Sequence, residues 1–178
     1  MKTARWLCVL LLVKACAWAQ SSASVGVNVS LPTVALLDLA PSSAGISLPL
    51  HAPSEAGNSL TVSSDNSKWL NFSSTIESGG GRYITAQIGA GSVPAGLGLR
   101  LALAPYAGGG AGALGGGGAS ILLSAAPQTI VSSIGGAYTG DGTGNGYHLQ
   151  YALEIQNFAQ LKHDLSSALT ITFTFVDL

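Results

Sequence analysis

Tyr147-His148-Leu149-Gln150-Tyr151-Ala152-Leu153-Glu154-Ile155 and Leu169-Thr170-Ile171-Thr172-Phe173-Thr174-Phe175 decide the fold class. Successive side chains of an extended chain point to opposite faces, so an apolar residue at every second position makes one oily face and one wet face. Both stretches read as strands with one buried side. The same period runs through Val25, Val27, Val29 and Leu31, and through Leu97, Leu99, Leu101 and Leu103.

Working outward, shorter strand candidates lie between clusters of Gly, Pro, Ser and Asn. They are 34–39, 46–50, 60–63, 70–75, 83–88, 120–124 and 128–132. Turn signals recur about every ten residues, the spacing of a sandwich or barrel rather than of alternating strands and helices. The expectation is an all-β chain: an antiparallel β-sandwich of immunoglobulin-like or Greek-key type. At most one short helical crossover is expected, over 158–162. Two loops stand out. Residues 105–119 are glycine-rich and uncharged, and the backbone entropy of glycine predicts a mobile connector there. Residues 135–146 form the second, again rich in glycine.

The start of the sequence has another character. Lys2 and Arg5 precede the apolar run Trp6–Val13, and Ala17-Trp18-Ala19 places small residues before Gln20. That order is the pattern of a secretory signal peptide. The run falls far short of the roughly 20 residues that span a bilayer. Residues 1–19 are therefore expected to be a signal peptide and 20–178 a single β-sandwich domain, secreted to the periplasm, cell surface or extracellular space. Val13-Lys14-Ala15-Cys16 loosely resembles a lipobox, which leaves lipid anchoring at Cys16 as the alternative. Cys8 and Cys16 are the two cysteines, so a cleaved chain has no disulfide and must rely on its apolar core.

Beyond the signal, Lys68, Arg82, Arg100 and Lys162 stand against Asp38, Glu55, Asp65, Glu77, Asp141, Glu154, Asp164 and Asp177. Four cations against eight anions leave a net charge of −4. Without a basic run, neither nucleic acid nor an anionic membrane surface is an expected partner.

Candidate chemistry is sparse. Asp141-Gly142-Thr143-Gly144-Asn145-Gly146 offers two oxygen-bearing side chains, but it lacks the middle ligand and closing glutamate of a calcium loop. Turn chemistry accounts for the same residues, with calcium as the alternative. His51, His148 and His163 sit at no metal-ligand spacing, and His148 falls on the polar side of its strand. No Gly-x-Ser-x-Gly elbow occurs, and nothing in the spacing links Glu55, Glu77 and Glu154. No catalytic, cofactor or metal residue is assigned, and a hydrolase is the least favoured reading. Trp69 is expected to anchor the core, with a sugar-stacking platform as the alternative. Asn28-Val29-Ser30 and Asn71-Phe72-Ser73 match the glycosylation acceptor pattern within expected strands.

A signal segment, many short strands, and an alternating final strand at 169–175 give a layout that resembles secreted bacterial fimbrial subunits of the chaperone–usher kind. The cysteine pair common among them is missing here. The resemblance implies a cell-surface structural or adhesion subunit, self-associating through residues 25–31 by strand addition. A secreted module that binds carbohydrate or another surface polysaccharide is the alternative.

Overall fold

The computed structural model describes residues 21–118, 120–163 and 166–178, so the signal-peptide and Cys16 readings lie outside the described residues. The chain divides into two units, Met1–Leu31 and Pro32–Leu178. Within the first, residues 21–31 join no ladder and every one is exposed. The strand expected over 25–31 is therefore absent from this chain's own sheets: Val25, Val27, Val29 and Leu31 are 75–86 % exposed.

In the second unit the alternation becomes antiparallel ladders, because each oily face needs a partner. Among the described residues, thirteen strands follow in order. They are β1 (Ala35–Ala40), β2 (Leu50–His51), β3 (Thr61–Val62), β4 (Ser64–Ser74), β5 (Arg82–Ala90), β6 (Leu97–Leu103) and β7 (Ala111–Gly112). Then come β8 (Gly116–Gly117), β9 (Ser120–Leu122), β10 (Gln128–Ile134), β11 (Ala137–Tyr138), β12 (Tyr147–Ile155) and β13 (Thr170–Asp177). The larger sheet runs β7-β11-β4-β12-β6-β9, with β1 on the other side of β4. The smaller runs β13-β5-β10-β8, and β2 and β3 form a separate pair. This is the expected all-β, sandwich-like architecture.

Register shows why the two deciding stretches behave as they do. Leu149, Tyr151 and Leu153 stand opposite Leu103, Leu101 and Leu99 across β12 and β6, so both apolar sets face inward together. Leu70, Ile84, Leu101 and Leu149 are fully buried. Phe72 joins the layers, meeting Phe175 of the smaller sheet edge-on at 5.6 Å between centroids and lying near-parallel to Tyr147 at 6.4 Å. Removing apolar area of this kind from water, about 25 cal/mol per Å², is the main stabilising term.

Three differences from expectation have local causes, while the short helical crossover is as expected. The strand expected over 46–50 contributes only Leu50 to a ladder, while Ile46 and Leu48 pack half-buried on the core without pairing. β4 begins six residues before its expected start, since Ser64–Lys68 gain partners from β12. The crossover is a single 3₁₀ turn over Phe158–Gln160, capped by Asn157, whose side chain accepts from the Ala159 N–H at 3.1 Å.

The glycine-rich segment is not the free connector expected: β7 pairs with β11 and β8 with β10. Gly112 (φ 96°) lies where a Cβ would come 2.1 Å from the Gly136 carbonyl. Glycine here permits backbones to touch, a use of the residue that composition does not reveal. Tyr106 supports the segment from beneath. Its hydroxyl accepts the Gly110 N–H at 2.6 Å and donates to the Thr139 carbonyl at 3.1 Å.

Candidate functional site

Two edge strands, β1 of the larger sheet and β13 of the smaller, meet at one corner and leave an opening at the other. Among the described residues β1 pairs only with β4 and β13 only with β5, so each presents an unpaired side. Arg82, 5 % exposed, ties them at the closed corner. Its Nε donates to Asp177 at the end of β13 and its Nη1 to the carbonyl of Val34, just before β1. The guanidinium also lies 5.8 Å from the centroid of the Phe175 ring.

At the opposite corner a cavity of about 750 Å³ opens between the layers. Leu39 of β1, Ile171 and Phe173 of β13, and Leu153 of β12 line it, with Ile46 and Leu48 on the intervening segment. Ile171, Phe173 and Phe175 are half-buried while Thr170, Thr172 and Thr174 are exposed, so the alternation read from sequence is only partly covered. The titratable side chains in this lining are Lys68 and Tyr151. Lys68 donates to the Ser42 carbonyl at 2.8 Å. Burial, helped by nearby Asp65, pushes the Tyr151 phenol well above its ordinary range. An opening lined by Leu39, Leu153, Ile171 and Phe173 beside an unpaired strand edge suits an extended apolar segment whose backbone can continue the ladder.

Of the residues singled out from sequence, His148 and Trp69 are brought together. In the Asp141–Gly146 loop, Asn145 Oδ1 accepts the Gly109 N–H at 3.1 Å and its Nδ2 donates to the Asp141 carbonyl at 2.7 Å. Both ends of the Asn145 carboxamide are thus hydrogen-bonded to backbone. Among the described residues no group of three or more His, Cys, Asp or Glu is placed to hold a metal ion. His51 Nε2 lies 3.3 Å from Ser63 Oγ. His148 is on the outer face as expected, but half-buried: its ring stacks on Trp69 at 4.4 Å, and its Nε2 meets the Asn66 carbonyl. Trp69 is accordingly no core anchor; it lies half-buried on that outer face, with Leu70 and Phe72 pointing the other way.

Glu154 is held below the usual carboxylate range, first by the hydrogen bond from Arg100 at 2.9 Å. Glu55 and Glu77 are exposed. Asn71, in one of the two glycosylation patterns, is 4 % exposed and so closed to modification in the folded chain.

Sequence reading missed the opening beside β13, since alternation reports which face is apolar and not whether a neighbour covers it. No helix among the described residues is long and apolar enough to cross a membrane. Comparison with known proteins gives no match, whether to family models, curated proteins or solved structures.

Proposed function

We propose that this chain is an exported, non-enzymatic structural subunit of a cell-surface assembly, joined to the next copy by donating residues 25–31 as a strand. The observation that carries the reading is a mismatch within one sequence. Val25, Val27, Val29 and Leu31 alternate as a strand should, yet all four lie in solvent. The eight-residue β13 edge has no outer partner among the described residues, and its apolar side is half-covered. A second copy supplies what each lacks. Its extended segment would hydrogen-bond along the free edge of β13, and its four branched side chains would cover Ile171, Phe173 and Leu39.

Burying four such side chains is worth roughly 6–12 kcal/mol in gross terms. Ordering the seven residues opposes this by a similar amount, about 7–14 kcal/mol. The ladder hydrogen bonds, at about 0.5–1.5 kcal/mol each, then decide the sign. A strand donated to a half-open edge gains both terms, whereas the same segment in water gains neither.

The test is size-exclusion chromatography with light scattering on chains with and without residues 20–31. Strand donation expects oligomers from the longer chain, monomers from the shorter, and capture of a free 25–31 peptide by the shorter. A longer chain that is monomeric and fully stable refutes the proposal.

A further inference from the structure

The opening beside β13 is bordered by a stretch of this chain that belongs to no sheet. β1 ends at Ala40, paired with Trp69 of β4, and Pro41 follows with no N–H to extend the ladder. Pairing resumes only at Leu50, directly after a second proline, Pro49. Between the prolines, Ile46 and Leu48 line the opening together with Leu39, Ile171 and Phe173. Among the described residues, the backbone of residues 45–48 makes no hydrogen bond.

Little holds this stretch in place. At one end Lys68 Nζ donates to the Ser42 carbonyl at 2.8 Å, and at the other Ser63 Oγ donates to the Pro49 carbonyl at 2.5 Å. Between these ties Ile46 and Leu48 pack half-buried on the core, while Ser47 is exposed. The order apolar, polar, apolar is that of Val25–Leu31 on a shorter scale. Residues 45–48 thus offer the opening two apolar side chains and no ladder. Residues 25–31 offer four, with a backbone free to pair along an edge.

We propose that residues 42–49 are an autoinhibitory strap, seated in the opening of the unassembled subunit and displaced when residues 25–31 of a second copy arrive. This inference rests on the strand-donation reading and adds regulation to it. Until then the strap keeps water and stray extended chains from the apolar wall beside the β13 edge. Lacking ladder bonds of its own, it yields to a segment that makes them. The affinity for the donor is accordingly reduced by the fraction of time the strap is seated.

The chain from Pro32 keeps every ladder, since residues 21–31 join none, and so serves for the test. Its capture of a fluorescent 25–31 peptide is read by anisotropy. Ile46→Ser with Leu48→Ser loosens the strap's apolar grip and should tighten capture by about tenfold. Ser63→Ala releases one tie without altering any side chain of the lining, and should tighten capture by about threefold. In the captured state the Ile46 and Leu48 methyl groups of the parent should lose their NMR cross-peaks to the core. Capture that neither variant tightens overturns the strap while leaving strand donation standing. Capture weakened by the double variant also overturns it, because Ile46 and Leu48 then belong to the wall that grips the donor. Methyl cross-peaks that persist after capture do the same. No capture by the parent or by either variant overturns strand donation and the strap together.

Discussion

Arg82 and Asp177 form an ion pair whose two halves should contribute very unequally to stability. The Arg82 side chain is 7 % exposed and that of Asp177 78 % exposed. Arg82→Met keeps an unbranched stem in the packed space but removes every polar contact. The carbonyl of Val34 loses a charge-assisted donor, worth about 1.5–3 kcal/mol. The Phe175 ring loses its cation at 5.8 Å, worth about 0.5–1 kcal/mol. Asp177 itself returns to water almost freely. A total loss of about 2–4 kcal/mol follows. Asp177→Asn leaves Arg82 bound to Val34 and retains a carboxamide oxygen, so it should cost no more than about 1 kcal/mol, as for exposed pairs. Urea denaturation of the two variants and the parent, followed by tryptophan fluorescence, measures both losses. Equal losses, or a loss below about 1 kcal/mol for Arg82→Met, would show that Arg82 does not hold the corner together through β1.

Two further outcomes are expected. Burial raises the phenol of Tyr151 in the folded chain, so its contribution to stability is full below the ordinary tyrosine value of about 10 and is lost as pH rises from there toward the raised folded value. In urea titrations across that window Tyr151→Phe should flatten the decline, and curves parallel to the parent's would contradict the burial argument. Gly112→Ala should destabilise by at least about 2 kcal/mol because a methyl group would meet backbone and φ is positive. Gly109→Ala, where a Cβ has open space, should stay within about 0.5 kcal/mol of the parent. Similar melting temperatures for the two alanine variants would remove the close-approach account of this segment.

Sequence was most informative where a face is fully buried. β6 and β12 begin and end where alternation placed them, because both strands are paired on two sides and most of their inner residues are buried. It was less informative at edges. Val25–Leu31 carries as clean an alternation as β6, yet joins no ladder in its own chain. Period alone cannot distinguish a strand that has a partner from one that lacks it. The pairs at β7, β8 and β11 were illegible for a different reason. They are made by glycine, alanine and one tyrosine, with no apolar rhythm, and close backbone approach leaves no trace in hydropathy. Asn71 matched a glycosylation acceptor pattern, and alternation with Leu70 and Phe72 gave no sign that it would be buried.

The corner that Arg82 fastens has a mechanical consequence. Val34 and Asp177, at the outset of β1 and the close of β13, are held by one guanidinium. Tension applied to the compact unit through Pro32 and Leu178 would enter and leave at neighbouring points. Under such loading β1 and β13 would peel from β4 and β5 one hydrogen bond after another, the weakest way to pull a ladder apart. A filament whose links bore load along β13 from a neighbouring molecule would instead strain many bonds at once in shear.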